Sequence, residues 1–351
     1  MKKILIIALA LLLGICLLAA CGANENEGDT TDAETEEVTT EVATTEEATT
    51  EEVTTEEATT EEATTEETTT EELTTEEITT EEAITEEVTT EAVPEYDFSG
   101  AASEKLAEIA YKIANSEEYL IFTIGDSVTE GQGASNPKTT DYTGMFSKKL
   151  GEIFSGKSIY RVDGAPNAAY TSVVYPSKEV AVQTGTGEGE ITVARCGIGG
   201  DTVARVLDRT GDFINKEIRG QTGKLFTICL GINESWTGTP KYAAPSTYKR
   251  QLGELVDAIY AAHPDADIIL MTPPFVGDNP RQLDLYAKAV RDLAKSKSIA
   301  CIDLNEMWKD HYVEGADNYG QGDWLFDNCH PTDIGHEAIA DKMISSIFGI
   351  N

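Results

Sequence analysis

Short β-rich runs alternate with amphipathic stretches in residues 98–351, and this alternation restricts the possible folds more than any other feature of the chain. Five runs bounded by Gly, Pro or polar residues have the pattern of buried strands, and they cover 119–124, 191–196, 224–230, 267–272 and 299–302. Stretches with helical periodicity lie around them, at 101–117, 143–155, 201–219, 246–262, 281–297 and 332–348. The pattern predicts an α/β domain, a three-layer α/β/α sandwich with a mostly parallel five-stranded sheet.

Residues 156–190 depart from this alternation. They contain Gly and Pro turns and pieces rich in Tyr and Val, but no helical period. Open parallel sheets bind ligands beyond the carboxyl ends of their strands, and we expect this segment to form a β-rich insertion near that face. Its role stays open.

A five-residue repeat fills much of the chain before the predicted domain. Nine consecutive pentads run from Glu46 to Thr90, and the whole segment 22–97 has 29 acidic residues and no Lys or Arg. A period of five matches neither a helix nor a strand, so no face of the segment can collect apolar residues into a core. We therefore expect a disordered, self-repelling linker, which reaches roughly 250 Å when fully extended. Whether its threonines carry sugars stays open.

The N-terminus has the order of a secretory signal. Lys2 and Lys3 precede an apolar run, which ends in Leu18-Ala-Ala-Cys21 and is short for a membrane-spanning helix. These last four residues resemble a bacterial lipobox, which implies cleavage before Cys21 and attachment of lipid to its sulfur. A plain signal peptide with an incidental cysteine is the alternative.

The lipobox resemblance divides the chain into three parts. It implies a signal peptide at 1–20, a lipid-anchored linker at 21–97 and a folded domain at 98–351. The protein is then expected at the extracellular face of a bacterial cell membrane, where Cys21 anchors it without a spanning helix. Most of the net charge of −37 lies in the linker, so the domain is only moderately acidic. We expect no nucleic acid among its partners.

Four short motifs stand at positions where chemistry is expected. They are Gly125-Asp126-Ser127, Gly199-Gly200-Asp201-Thr202, Gly231-Ile232-Asn233 and Asp327-Asn328-Cys329-His330. The first three begin where a predicted strand ends, and the fourth opens the last predicted helix. Because the carboxyl ends of parallel strands share one edge of the sheet, we expect the motifs to converge there.

Their residue types are those of a serine esterase. A serine hydroxyl attacks a carbonyl only when a base accepts its proton. Of the four histidines, His330 is the one with a carboxylate, Asp327, three residues before it in a predicted loop that can fix its tautomer. Donors such as an amide can stabilise the negative charge that develops on the carbonyl oxygen. The Gly-x-Ser-x-Gly pattern is absent from the sequence, which disfavours an α/β-hydrolase.

Together the motifs resemble the SGNH, or GDSL-type, hydrolase superfamily, here in a secreted lipoprotein form, over about Tyr119 to Ile347. The resemblance implies a flavodoxin-like catalytic domain that needs no cofactor. It also implies a role for each matching residue: Ser127 as nucleophile, His330 as base, Asp327 as its acid, and an oxyanion hole built by Ser127, Gly200 and Asn233. Two positions depart from the pattern. Glu234 stands where aspartate is common, and the Gly199-Gly200 pair leaves the donor glycine open by one position.

Several of these residues have simpler interpretations. Gly-Asp-Ser is common in turns, Gly200 is also suited to a helix entry, and Asp327 also suits a helix cap. A structural role is favoured for the remaining histidines, His263, His311 and His336. No Cys or His cluster has metal-ligand spacing, so we expect no metal. Buried free thiols are favoured for Cys196, Cys229 and Cys301, while a disulfide between Cys196 and Cys329 stays an alternative.

The substrate is the least constrained part of the prediction. Asp126, Tyr142, Trp236 and Trp324 are candidates for lining it, because they flank the motifs and aromatic rings offer flat faces to sugars; packing of loop bases is the alternative for the aromatic side chains. The resemblance implies an esterase that removes O-acetyl groups from extracellular polysaccharide. A lipase, lysophospholipase or thioesterase with the same residues is a second reading, and a surface binding module without catalysis is a third. The sequence leaves the oligomeric state open.

Overall fold

A computed structural model of the protein describes residues 96–350. The predicted signal peptide, Cys21 and all but the last two residues of the predicted linker lie outside the described residues. None of the helices between residues 96 and 350 is long and apolar enough to cross a membrane.

A mostly parallel sheet of seven strands forms the centre of the described domain. The strands are β1 Glu118–Gly125, β2 Ser158–Asp163, β5 Val180–Gln183, β6 Glu190–Gly197, β7 Gly223–Cys229, β8 Asp267–Met271 and β9 Ala300–Ile302. Their order is β5-β2-β6-β1-β7-β8-β9, and only β5 is antiparallel to its neighbour. Two short strands, β3 Ala165–Pro166 and β4 Val173–Val174, make a separate hairpin.

Nine α-helices surround the sheet in the described part of the chain. They are α1 Glu104–Asn115, α2 Ser127–Glu130, α3 Tyr142–Ile153, α4 Val203–Asp208, α5 Ile232–Ser235, α6 Pro245–Ala262, α7 Pro280–Lys297, α8 Leu304–His311 and α9 Asp333–Phe348. Two 3₁₀ turns, at Thr210–Asp212 and Gly322–Trp324, complete the regular structure.

The helices form two layers because the side chains of each strand point alternately to the two faces. Ile121 of β1 packs in a core with α1, α3 and α9, whereas its neighbours Leu120 and Phe122 pack in a second core with α4, α6 and α7. The three-layer α/β/α sandwich that the alternation predicts is therefore confirmed.

The predicted count of five strands is wrong, because the segment 156–190 contributes two strands to the central sheet. β2 pairs with β6 in parallel, and β5 closes this edge in antiparallel pairing with β2. The polar side chain of Arg161 lies in the middle of β2 and is buried, which hides the strand from a search for apolar runs. Most of the remaining segment forms turns and the β3–β4 hairpin.

The structure also differs from the predicted helices at two places. The helix predicted over 201–219 ends as α4 at Asp208, because Thr210 and Gly211 are weak helix formers and fold as a 3₁₀ turn. The eight-residue helix α8 was not predicted. Its start is capped by Asp303, whose carboxylate accepts a hydrogen bond from Glu306 N–H.

A buried ionic cluster joins the sheet to the loop between α2 and α3. Asp141 is fully buried and caps α3, accepting from Gly144 N–H at 2.6 Å. The same carboxylate receives Arg161 Nη2 at 2.7 Å and Arg195 Nη1 at 3.0 Å. Arg195 also donates to the carbonyl oxygens of Glu130 and Pro137, at 2.8 and 2.6 Å. The loop that follows α2 is thus held on the sheet by buried charge.

We expect Asp141→Asn to destabilise the domain by roughly 3 kcal/mol, because the amide still caps α3 but removes the one carboxylate that pairs closely with both buried guanidinium groups. Asp163 then remains as the acidic partner, 2.5 Å from Arg161 Nε but 3.9 Å from Arg195 Nε. Asp341→Asn is the matched control, since Asp341 pairs with Lys149 at 2.7 Å on the surface with its side chain 58% exposed. The control should cost less than about 1 kcal/mol. Urea unfolding of both variants measures the difference, and equal losses would contradict a structural role of the cluster.

Candidate active site

Ser127 lies at the first turn beyond the central strand β1. A Cβ at Gly125 would collide with the Thr129 side chain and with the Cys229 carbonyl oxygen, so the close turn requires glycine. Asp126 caps α2 by accepting from Val128 N–H at 3.0 Å. Within residues 96–350, the Ser127 N–H has no hydrogen-bond acceptor, as expected for a group at the start of a helix.

His330 is held against Ser127 by the loop that precedes α9. Its Nε2 lies 2.9 Å from Ser127 Oγ, and its Nδ1 lies 2.7 Å from Asp327 Oδ2. Nδ1–H donates to the carboxylate, which leaves Nε2 as the acceptor for the serine hydroxyl proton. Phe326 N–H donates to the carbonyl oxygen of His330 at 2.8 Å, which closes the loop on itself. The structure therefore brings Ser127, His330 and Asp327 into one hydrogen-bonded row.

The carboxylate of Asp327 is oriented by its own loop. Its Oδ1 accepts from the backbone N–H groups of Cys329 and His330, at 2.9 and 2.8 Å. Partial burial acts to raise the pKa of Asp327, but the hydrogen bonds from the His330 side chain and these two N–H groups outweigh it and lower the pKa below its ordinary value. Asp327 is thus kept ionised beside the imidazole, where its charge stabilises an imidazolium.

The loop after β6 distinguishes the two adjacent glycines. Gly199 N–H donates to Glu130 Oε2 at 2.6 Å, so it is already used. Gly200 N–H has no acceptor in the described part of the chain, and Gly200 has φ +79°, a left-handed conformation that glycine adopts without strain. Of the two glycines, Gly200 therefore keeps a free donor. Glu130, which belongs to none of the four motifs, fixes this arrangement.

The amide of Asn233 follows β7 at the start of α5. Its Nδ2 donates to the carbonyl oxygen of Asp201 at 2.9 Å, and its Oδ1 accepts from Lys241 Nζ at 3.3 Å. An amide nitrogen has two N–H groups, so one remains for a ligand. Lys241 is a second polar residue at the site that the motifs did not indicate, because it lies eight positions beyond Asn233 in a loop.

Two carboxyl groups are buried beneath these loops. Burial raises the pKa of Asp126 to about 7 and the pKa of Glu234 to about 7. Glu234 Oε1 accepts from Val203 N–H at 2.6 Å and so joins α5 to the start of α4. Glu234 stands at the position where aspartate is common in the motif, and this hydrogen bond is its structural role.

A second set of contacts ties the loop after α2 to α9, next to His330. Asp333 accepts from Ser135 Oγ at 2.5 Å and from Thr140 Oγ1 at 2.8 Å. His336 is fully buried, with Nε2 3.1 Å from the carbonyl oxygen of Gln132. Burial lowers the pKa of His336, so its neutral ring serves as a structural bridge.

The four residues predicted to line the substrate differ in exposure and in their contacts. Tyr142 is only 1% exposed and lies 2.9 Å from Thr129 Oγ1, so its predicted contact with substrate is wrong. Asp126 is also buried beneath Ser127, and its carboxylate is used as a helix cap, so the same correction applies. Trp324 is half-buried and stacks on His311 at 3.8 Å between ring centroids, which supports the packing alternative. Trp236 is 37% exposed.

Trp236 lines a pocket of about 340 Å³ beside the His330 loop. The pocket includes Asn328, which stands between Asp327 and His330, and Ser235, two positions after Asn233. Most of its other lining side chains carry amide, hydroxyl or carboxyl groups; they include Thr237, Thr239, Asp278, Asn279 and Gln282. An indole face beside many hydrogen-bonding groups suits a polar ligand with an apolar ring face.

The cysteines are free thiols in the described residues, so Cys196 and Cys329 do not form a disulfide. Asp327, Cys329 and His330 place their ligating atoms within 4.8 Å of one another. Burial raises the pKa of the Cys329 thiol well above its usual range, and the His330 and Asp327 side chains bond each other. This donor set therefore fits a proton relay better than a metal, which would require a thiolate. The absence of a metal stays a prediction.

Comparison with known proteins identifies the family. Residues 123–338, more than half of the chain, match the model of the GDSL-like Lipase/Acylhydrolase family. The acetyl xylan esterase AlAXEase is 17% identical over 65% of this chain and 99% of its own, with a TM-score of 0.47. The acetylxylan esterase Axe2 from Geobacillus stearothermophilus is 24% identical over 68% of this chain and 97% of its own, with a TM-score of 0.46. A lipase/acylhydrolase from Enterococcus faecalis is 16% identical over 66% of this chain and 96% of its own, with a TM-score of 0.45. No curated protein sequence matches. On the match of residues 123–338, the chain belongs to the GDSL-like lipase/acylhydrolase family.

Proposed function

We propose that this protein is a serine esterase that removes O-acetyl groups from extracellular polysaccharide through an acyl-enzyme on Ser127. The observation that carries the catalytic part is the hydrogen-bonded row of Ser127 Oγ, His330 and Asp327, with distances of 2.9 and 2.7 Å. A row of this kind pairs a nucleophile with a base and the base with an orienting acid.

Acylation begins when His330 Nε2 takes the proton of Ser127 as its Oγ bonds to the ester carbonyl carbon. The carbonyl oxygen gains the negative charge, and the unpaired N–H groups of Ser127, Gly200 and Asn233 are the donors proposed to receive it. His330 then gives its proton to the alcohol oxygen as the bond from carbon to that oxygen breaks. The acyl group stays on Ser127.

Deacylation repeats these steps with water. His330 accepts a proton from water as its oxygen bonds to the acyl carbon, and the proton returns to Ser127 Oγ as the bond from carbon to Oγ breaks. Carboxylic acid leaves, and the enzyme is restored. Asp327 stabilises the imidazolium in both halves of the cycle without taking its proton.

The polar pocket beside Trp236 supports a carbohydrate substrate. Sugars present hydroxyl groups around a ring with apolar faces, which matches an indole surrounded by hydroxyl and amide side chains. The pocket adjoins the His330 loop through Asn328, which is one of its lining residues. We propose that it holds the sugar ring that carries the acetyl group.

A lipid or thioester substrate is the alternative, and one observation favours it. Phe326, directly before Asp327, is 70% exposed, and with Ile334 it lines a second pocket on the side of Gly133. An apolar pocket of this kind suits a longer acyl chain. The third reading, a binding module without catalysis, is disfavoured by the intact hydrogen bonds between Ser127, His330 and Asp327.

We propose that the enzyme acts at the extracellular face of the cell membrane, tethered through lipid on Cys21. The signal-like N-terminus and the Leu-Ala-Ala-Cys motif support this location, and the acidic linker supports an extended tether. The proposed partners are then a small ester or acetylated polysaccharide as substrate, and the membrane to which the lipid attaches.

We expect Ser127→Ala and His330→Ala to lose esterase activity, because each removes one end of the proton relay. Asn233→Ala should lower kcat about a hundredfold or more, as expected for loss of one oxyanion donor. A fluorophosphonate probe should label the wild-type protein and not Ser127→Ala. A folded wild-type protein that resists the probe would favour the binding module.

Substrate preference separates the two esterase readings. We expect acetate release from acetylated xylan, pectin or peptidoglycan and a preference for two-carbon acyl groups in a series of aryl esters. Trp236→Ala should raise KM for the preferred acetylated glycan about tenfold, the scale of one lost aromatic contact, and leave a short alkyl acetate unaffected. Trp236→Phe is the matched control and should retain most of the affinity. Preference for acyl chains of eight carbons, weakened by Phe326→Ala, would contradict the carbohydrate reading.

The anchor has its own test. We expect Cys21→Ala to abolish incorporation of labelled fatty acid and to release active enzyme from the membrane fraction, because the lipid is the proposed attachment. Fractionation of cells that make each form measures this. Membrane retention of an unlabelled variant would contradict anchoring through Cys21 and leave the esterase proposal intact.

A further inference from the structure

Lys241 places a positive charge between the two loops that carry the proposed oxyanion donors. Its Nζ lies 3.3 Å from Asn233 Oδ1, and a Cβ at Gly200 would overlap the ammonium group. Within residues 96–350, no carboxylate lies within 4.0 Å of Lys241 Nζ, although most lysines that contact other side chains do so in ion pairs. The amide oxygen of Asn233 is therefore its principal polar contact.

The loop that carries Lys241 is folded back onto α5. Tyr242 N–H donates to the carbonyl oxygen of Thr239 at 3.1 Å, and Ala243 N–H donates to that of Glu234 at 3.2 Å. Tyr286 Oη lies 2.8 and 2.7 Å from the carbonyl oxygens of Glu234 and Ala243, which holds the two ends of the loop together. Although the Lys241 side chain is exposed, its backbone is thus fixed beside Asn233.

The contacts of Asn233 determine which way its amide faces. Nδ2 donates to the Asp201 carbonyl oxygen at 2.9 Å, and Oδ1 accepts from Lys241. In the opposite orientation, the NH₂ group would face an ammonium and the oxygen would face a carbonyl, so both contacts would be repulsive. In the observed orientation, the NH₂ group lies on the Asp201 side and keeps one N–H free to bind a ligand there. In the opposite orientation, the amide oxygen would lie on that side and the free donor would be lost.

We propose that Lys241 is a positioning residue for the oxyanion hole, acting through the amide of Asn233. A cation at Oδ1 both holds the amide in place and draws electron density from it, which makes the remaining N–H a stronger donor. The effect is largest when charge develops on the carbonyl oxygen of the substrate. This inference rests on the proposed esterase function.

The test compares Lys241→Met, which keeps the length of the side chain without its charge, with Lys241→Arg, which keeps the charge. On a neutral aryl acetate, we expect Lys241→Met to lower kcat about tenfold, the scale of one charge-assisted hydrogen bond, with KM changed by less than about twofold. Lys241→Arg should restore most of kcat. Lys224→Met is the matched control, because Lys224 is exposed at the start of β7, the end away from Asn233, and it should leave kcat unchanged.

A second comparison tests whether Lys241 affects kcat through the amide of Asn233. In an Asn233→Ala background, Lys241→Met should cost less than about twofold, since the group that it orients is gone. An undiminished loss in that background would overturn the proposal, as would a rise in KM with kcat unchanged. Wild-type protein without esterase activity would instead refute the proposed function, so the two failures are distinguishable.

Discussion

The register of three central strands is the constraint on which the site depends. In the parallel pairing of β1 with its neighbours, Gly125 stands opposite Gly197 of β6 and Cys229 of β7. The three strands therefore end at the same level of the sheet, and the turns after them carry Ser127, Gly200 and Asn233. Strand hydrogen bonds bring these groups to one edge of the sheet, and the contacts of Gly199 with Glu130 and of Asn233 with Asp201 then join the turns to one another. A rigid sheet edge of this kind suits donors that must be in place before charge develops.

The histidine reaches this edge by another route. His330 is more than 200 positions from Ser127, and no strand carries it. Its loop is closed by its own backbone hydrogen bonds, while Asp333 and His336 attach the adjoining helix α9 to the loop after α2. Asp141 and its two arginines hold that same loop on the sheet. The buried charges therefore serve the geometry of the site as well as the stability of the fold.

Much of the architecture could be predicted from the sequence, because most strands and helices follow a clear period. The family assignment is confirmed by the match over residues 123–338. β2 was missed because Arg161 interrupts its apolar pattern, and its ion pairs only become visible in three dimensions. Tyr142 was misjudged for a related reason: closeness to a motif in sequence does not show on which face of a helix a side chain lies. Glu130 and Lys241 belong to no motif, and their contacts depend on loop paths that local sequence does not determine.

The buried carboxyl groups of Asp126 and Glu234 have a consequence for the surroundings in which the protein acts. Each has a pKa of about 7 in the folded state, above its ordinary value. Such a group favours the folded state fully below its unfolded pKa, and this contribution is lost as pH rises through about 7. The esterase reaction proposed for this protein would release a carboxylic acid, which lowers the pH of weakly buffered surroundings. For these two groups, the product of that reaction would strengthen the fold that makes it.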